Sequence, residues 1–112
     1  MSAGDLAAAL SLYETAIQVG TDETIARRGL AAALLQSGRA MEAIPHLRAV
    51  LAVNPRDAQA HNNLGVALTQ QDDFNEALLH FEEAVRLNPE YADARQNSAR
   101  LRGALQDTVS TP

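Results

Sequence analysis

The three histidines have an ordinary pKa closer to neutral pH than any other side chain here, so they are the first candidates for chemistry. His46 and His80 are 34 residues apart, and His61 lies between them. If His46 and His80 occupy equivalent places on neighbouring helices, they are about 10 Å apart. Zinc binds imidazole nitrogen at about 2 Å, so one ion cannot bridge such a pair. We therefore predict no metal site, and we expect packed or solvated histidines.

Paired carboxylates occur at Asp72-Asp73 and at Glu82-Glu83. Adjacent residues of a helix point in different directions, so neither pair is placed for general acid–base catalysis. We interpret the first pair as capping residues at a helix boundary and the second pair as part of a solvated helix face.

The chain contains no cysteine, and all nine of its basic residues are arginines. The absence of cysteine excludes disulfides and thiol nucleophiles, and the absence of lysine excludes Schiff-base chemistry and the lysine of a phosphate-binding loop. We therefore predict no catalytic residue, no cofactor and no enzymatic activity of the chain on its own.

The length of 112 residues predicts one domain over 1–112. A net charge of −5 argues against nucleic acid as the partner, because the phosphate backbone requires a basic surface. No apolar run approaches the ~18 residues of a membrane span, and no basic segment precedes an apolar one as in a secretory signal. The expected location is the cytoplasm, an expectation that does not extend to a longer parent protein.

Turn-forming residues divide the chain at regular intervals, at Gly20, Gly38, Asn54-Pro55, Asp72-Asp73 and Asn88-Pro89. An alanine- and leucine-rich composition with 4% aromatic residues favours helices between these breaks. The predicted helices span about 5–19, 23–37, 40–53, 57–71, 74–87 and 91–106. Short loops require neighbouring helices to be antiparallel.

Residues 24–57 and 58–91 match each other at fixed offsets. The matching pairs are Leu30 with Leu64, Ala43 with Ala77, His46 with His80, Asn54 with Asn88 and Pro55 with Pro89. A period of 34 residues with two helices per unit is typical of a helical repeat array, in which neighbouring units share one core. We name 24–57 the first repeat and 58–91 the second repeat.

The segments "HNNLGVAL" and "FNEALLHFEEAVRLNP" resemble the tetratricopeptide repeat (TPR). Positions that match the motif directly are Leu64, Gly65, Ala77, Phe81, Ala84 and Pro89. The resemblance implies an all-α, TPR-type α-solenoid of about six helices in antiparallel pairs. It divides the chain into a leading helix (5–19), two repeats, an end helix (92–106) and a frayed tail (107–112). At the crossing of each pair, small residues allow close approach, and we expect Gly65 to face Ala77.

In the TPR fold the first helix of each pair lines a concave face. The residues that the resemblance places there are Arg28, Gln59, Asn62, Asn63, Val66, Gln70, Gln96, Asn97 and Arg100. Carboxamides donate and accept hydrogen bonds, so they can pair with the backbone of a bound peptide. Asn63 and Asn97 resemble the asparagine ladder of some TPR superhelices, and Gly29 interrupts that ladder in the first repeat.

The predicted function is a non-enzymatic module that binds a protein or peptide in this groove, with no nucleic-acid or membrane partner. One alternative is that the amides only keep the face solvated. Another is a structural segment that self-associates through Leu6, Leu10 and Ile17 of the leading helix. Such a segment can also form part of a longer repeat array, and a third alternative is that the chain positions substrate for a catalytic domain outside it.

TPR receptors of chaperone tails clamp a terminal carboxylate with basic residues and asparagines. Of the matching positions, only Arg28 and Asn63 are compatible with that clamp, and Asp93 would repel a carboxylate. The sequence therefore predicts that the partner is not a chaperone tail.

Overall fold

The computed structural model describes residues 3–19 and 23–110, and within these ranges it is all-α, with six helices and no strand. The helices are α1 (Ala3–Gln18), α2 (Glu23–Gln36), α3 (Ala40–Val53), α4 (Ala58–Gln70), α5 (Phe74–Leu87) and α6 (Ala92–Ser110). The predicted fold class is thus confirmed. Helix α6 continues four residues beyond its predicted end, and the turn predicted at Gly20 lies outside the described residues.

The first helix of each repeat ends in the same turn. Gly38 and Asp72 are one period apart, and both adopt left-handed backbone conformations, with φ of 74° and 61°. The amide of the next residue donates back to the helix in both turns: Arg39 N to Leu34 O and Asp73 N to Leu68 O, each at 2.9 Å. This is the Schellman arrangement that closes a helix C-terminus, and it reverses the chain so that the next helix is antiparallel.

The Asn-Pro pairs end the second helix of each repeat. The amides of Asn54 and Asn88 donate to the last turn, to Val50 O at 2.8 Å and Ala84 O at 2.9 Å. The side-chain oxygen of each asparagine accepts from the backbone two residues on, at 3.2 Å in both repeats. The asparagine side chain therefore holds the turn, while the following proline cannot continue the helix.

Consecutive helices pack against each other along the chain, and α2 also packs on α4, so the described residues form an elongated molecule of 53 × 29 × 21 Å. Leu47, Val50 and Leu64 are the largest fully buried side chains. A Cβ built on Gly65 lies 2.6 Å from the Phe81 ring, so glycine is required by this ring. Ala77, which is expected to face Gly65, is also fully buried, and the atoms nearest to the built Cβ belong to Phe81.

Helix α3 continues through Pro45, which has no backbone N–H to donate within the helix. Pro45 is exposed and lies in the second turn of the helix, where it removes one backbone hydrogen bond. Asp57 is the N-cap of α4, because its carboxylate accepts a hydrogen bond from the Ala60 amide at 2.9 Å.

Candidate functional site

An apolar cavity of about 290 Å³ lies between α4 and α6, the first helix of the second repeat and the end helix. We call it the α4–α6 cavity, and its lining residues are Val66, Thr69, Gln70, Phe81, Asn97, Arg100, Leu101 and Ala104. Four of these, Val66, Gln70, Asn97 and Arg100, are residues that the sequence places on the partner-binding face. The 34-residue repeat pattern therefore predicts residues of both helices, α4 and α6, that line this cavity.

The floor of the α4–α6 cavity includes Phe81, which the sequence does not assign to the site. Phe81 is buried by its contact with Gly65, and it precedes Asn97 by sixteen residues. Tyr13 precedes Gly29 by the same interval, and a Cβ built on Gly29 lies 2.5 Å from the Tyr13 ring. The interruption of the asparagine series at Gly29 thus has a physical cause, since a ring occupies the space of a side chain there.

Asn62 is 5% exposed, which differs from the open position that the sequence predicts for it. Its Oδ1 accepts a hydrogen bond from Asn97 Nδ2 at 3.1 Å, and its Nδ2 donates to the hydroxyl of Tyr91 at 3.4 Å. Burial and the nearby Asp93 carboxylate raise the pKa of Tyr91 above its ordinary value. Asn62 therefore acts on the cavity through Asn97, whose amide it holds in place.

Arg28 makes an ion pair with Asp57, the N-cap of α4, through Nη1 and Oδ2. The pair neutralises the guanidinium and ties the first helix of the first repeat to the start of the second repeat. Arg28 therefore differs from Arg100, which lies at the cavity and has no ion pair within residues 23–110.

The remaining candidates lie around the cavity without lining it. Asn63 is half-buried on α4, and Gln59 and Gln96 are exposed. Gln70 lines the cavity and also donates to Leu35 O at 3.4 Å, so it links α4 to α2.

The histidines form a contact that the sequence does not predict. His61 and His80 stack with ring centroids 5.3 Å apart, and their Nδ1 atoms are 3.0 Å apart. His61 Nε2 donates to Pro55 O at 2.8 Å, because a carbonyl can only accept. In the neutral pair His61 Nδ1 is then the acceptor, and His80 Nδ1 donates to it.

Each remaining histidine contact involves a charged residue. His80 Nε2 is 3.5 Å from the Glu76 carboxylate, and His46 Nδ1 is 3.0 Å from Nη1 of Arg27. Burial and the neighbouring His61 lower the pKa of His80, and burial and Arg27 lower the pKa of His46. Within the described ranges no three histidine or carboxylate side chains are grouped as metal ligands.

The leading helix is oriented differently from the prediction. Leu10 and Ile17 pack against the core and Leu6 is half-buried, so they do not form the outer apolar side expected for self-association. The exposed apolar residues of this segment are Leu12, at 71%, and Val19, at 69%. The error arises because no earlier repeat in the sequence fixes which face of α1 meets α2.

A family model described as "Tetratricopeptide repeat" matches residues 1–45 and 29–92. A comparison with curated protein sequences finds no significant match. None of the helices in the described ranges combines the length and hydropathy needed to cross a membrane.

Solved structures superpose over most of the chain. MamA from Desulfovibrio magneticus RS-1 is 26% identical with a TM-score of 0.83, and the match covers 93% of this chain and 59% of that one. The Sgt2 TPR domain of Aspergillus fumigatus is 19% identical (TM-score 0.86; 94% and 71% covered). The second TPR domain of human RPAP3, solved with the HSP70 peptide SGPTIEEVD, is 21% identical (TM-score 0.80; 88% and 82% covered). The chain thus spans little more than half of the MamA chain. The likeness to the Sgt2 and RPAP3 domains, at 19% and 21% identity, is a likeness of fold alone.

Proposed function

The chain belongs to the tetratricopeptide repeat family, and on that premise we propose that it is a non-enzymatic module that holds a peptide or a partner helix in its concave groove. The family fold is a protein-interaction scaffold, and the similar RPAP3 domain was solved with a bound peptide. TPR scaffolds serve unrelated partners, so the groove of this chain must be argued from its own residues.

The observation that carries the proposal is the α4–α6 cavity. Its floor, formed by Phe81 and Leu101, is apolar, and the amide of Asn97 lies at its wall. An apolar recess with a few fixed polar groups is the usual form of a binding site, since burial supplies free energy and the polar groups set orientation. The contact with Asn62 holds the Asn97 amide in place, which reduces the entropy lost on binding.

A groove of this kind fits an extended segment or one face of a helix. Asn97 Oδ1 accepts no hydrogen bond from residues 23–106, and Asn63 makes no side-chain hydrogen bond within the same range. Both amides are therefore free to pair with backbone groups of a partner. In the described ranges no three His, Asp or Glu side chains come together as they would at a metal site, so this observation gives no support to metal-dependent catalysis.

The proposal is tested by filling the cavity. Ala104→Trp places an indole at the exposed edge of the cavity, and Ala99→Trp places the same ring at an exposed position of α6 that does not line it. Peptides are first selected on the unmodified chain from a phage-displayed random library. We expect Ala104→Trp to weaken the selected peptides at least tenfold, and Ala99→Trp to leave their affinity unchanged.

A second pair of substitutions tests the amides. Asn63→Ala combined with Asn97→Ala is expected to weaken the same peptides, while circular dichroism shows an unchanged helical content. Selected peptides that bind Ala104→Trp as well as the unmodified chain would contradict the proposed groove, and so would the absence of any selected peptide.

Self-association is a second candidate function, favoured by the exposure of Leu12 and Val19 on and next to α1. A partner covering these residues would remove apolar surface from water. Sedimentation equilibrium of the unmodified chain and of Leu12→Glu distinguishes the two cases. A monomer at every concentration, unchanged by the substitution, excludes this candidate.

A further inference from the structure

We propose that the groove selects a segment in which one apolar side chain lies beside a single carboxylate. The apolar side chain enters the α4–α6 cavity, and the carboxylate pairs with Arg100 at its edge. This inference rests on the proposed function and adds the chemistry of the partner.

The first observation is that Arg100 lacks an internal counter-ion. Most arginines of residues 23–110 pair with a carboxylate of the chain: Arg27 with Glu23, Arg28 with Asp57, Arg39 with Glu42, Arg48 with Glu76, Arg86 with Glu83 and Arg102 with Glu82. Arg56 and Arg95 also have no ion pair in that range, but neither lines the α4–α6 cavity. Arg100 is therefore the unpaired cation that borders the apolar recess.

The second observation is that, among the side chains that the structure describes, Arg100 is the only charged residue lining the α4–α6 cavity. The nearest acidic residues of α6 in the sequence are Asp93 and Asp107, seven residues before and after Arg100, which is about 10 Å along the helix in each direction. A partner carboxylate at Arg100 thus meets an attractive charge, with no competing carboxylate among the described residues that line the cavity.

The size of the cavity decides how much of the partner enters it. A volume of about 290 Å³ is close to the lower limit of the ~300–1,000 Å³ of small-molecule sites. The recess therefore accepts one or two side chains of a larger partner. Its apolar lining, with Val66, Phe81 and Leu101, selects an aliphatic or aromatic side chain.

The overall charge of the chain decides how many carboxylates the partner carries. A net charge of −5 repels an acidic tract, whereas one carboxylate within contact distance of Arg100 is attracted more strongly than it is repelled by charges beyond the ~8 Å screening length. Asp93 lies on the same face of α6, so residues of the partner next to it are expected to be neutral or basic. We therefore assign a single carboxylate and not an acidic run.

The test uses a phage-displayed random peptide library panned on the unmodified chain. We expect selected peptides to share a Leu, Ile, Val, Met or Phe next to one Asp or Glu. Changing that acid to its amide should weaken binding about two- to fivefold, the range of a partly exposed ion pair. Arg100→Ala should give the same loss, and Arg100→Glu should shift the selection toward Lys or Arg.

Arg95→Glu is the matched control, because Arg95 is an exposed and unpaired arginine of α6 outside the α4–α6 cavity. It should select the same peptides as the unmodified chain. Peptides that depend on the cavity, as judged by Ala104→Trp, but show no preference for an acid would overturn this inference and leave the proposed function intact. An unchanged preference in Arg100→Glu, or selection of acidic runs, would also overturn it. Peptides insensitive to Ala104→Trp, or no selected peptides, would overturn both.

Discussion

The first and second repeats place the same positions in contact, but they make the contact with different chemistry. In the first repeat Arg27 Nη1 lies 3.0 Å from His46 Nδ1. One period later the contact is between His61 and His80, again at 3.0 Å. The spacing of the helices therefore sets which positions meet, and each repeat fills those positions independently.

A second equivalent contact differs in the same way. Arg28 and Asp57 form an ion pair, and one period later Asn62 donates to the Tyr91 hydroxyl at 3.4 Å. The first contact joins two charges, and the second joins two neutral groups. At these equivalent positions an ion pair holds the first repeat to its neighbour, and a neutral hydrogen bond holds the second repeat to the end helix.

The largest expected difference between the repeats is in the free energy of unfolding that is lost when each of these contacts is removed by substitution. Arg28→Ala leaves the Asp57 carboxylate buried without its cation, and breaking a fully buried pair costs about 3–5 kcal/mol. Because 26% of the Arg28 side chain is exposed, we expect about 1–2 kcal/mol. Asn62→Ala should cost about 0.5–1.5 kcal/mol.

Urea denaturation at low and high salt separates the two contacts. The loss from Arg28→Ala should shrink as salt is added, because screening weakens the ion pair in the unmodified chain. The loss from Asn62→Ala should not change with salt. Equal salt dependence of the two variants would show that the distinction between the repeats is wrong.

The next effect concerns the two glycines that contact rings. Gly65→Ala places a methyl group 2.6 Å from the Phe81 ring, which is 3% exposed, so the ring must shift from its packed position. Overpacking costs about 1–3 kcal/mol, partly offset by the ~1 kcal/mol better helix propensity of alanine.

Gly29→Ala is the matched control for that substitution. It presses on the outer end of the half-buried Tyr13 ring, which can tilt toward solvent, so its effect on stability should be close to zero. Thermal unfolding of both variants measures the difference. A larger loss from Gly29→Ala than from Gly65→Ala would contradict the packing described for Phe81.

A smaller effect comes from the two left-handed turns. Asp72 adopts φ of 61° at the position that Gly38 occupies in the first repeat. Left-handed backbone costs a non-glycine residue about 1–2 kcal/mol, and glycine loses more entropy on folding. Asp72→Gly should therefore raise the free energy of unfolding by about 0.5–1 kcal/mol, and Gly38→Asp should lower it. Chemical denaturation measures both, and shifts of the same sign would refute the equivalence of the turns.

The smallest expected effect is the pH dependence of stability. The pKa values of His46 and His80 lie below their ordinary value of 6.5, mainly because of burial. The unfolded chain therefore binds protons more readily than the folded chain. Stability should be full above pH 6.5 and decrease as the pH falls through the lowered pKa values.

Single substitutions show which repeat carries this pH dependence. His80 faces His61, Glu76 and Arg48, whereas His46 is influenced by Arg27 and Glu14. His46→Gln and His80→Gln should each flatten part of the profile measured by urea denaturation between pH 5.5 and 7.5. A profile unchanged in both variants would assign the dependence to other groups.

Much of the fold follows from local sequence. The Schellman turn at Gly38 and the Asn-Pro turns involve neighbouring residues and repeat with the period, so the six helices and the TPR resemblance are predictable. The orientation of α1 is not, since it depends on packing against α2 alone. Leu10 and Ile17 face the core, where the prediction had them outside.

The candidate site divides in a similar way. The period predicts Val66, Asn97 and Arg100, because equivalent positions of first helices share a face. The burial of Asn62 depends on Tyr91, which lies in the turn between α5 and α6, and no local pattern indicates that contact. The stacking of His61 on His80 likewise joins two helices at a separation of nineteen residues and has no equivalent pair of histidines in the first repeat.

Phe81 makes two contacts that have different roles. Its ring packs against Gly65 between α4 and α5, and it also forms part of the floor of the α4–α6 cavity. A molecule that occupies the cavity rests on the same ring that joins the two helices of the second repeat. Binding in the cavity therefore stabilises the folded chain. A ligand present at one hundred times its dissociation constant raises the free energy of unfolding by about 2.7 kcal/mol. The melting temperature can accordingly serve as a label-free indicator of what the recess accepts.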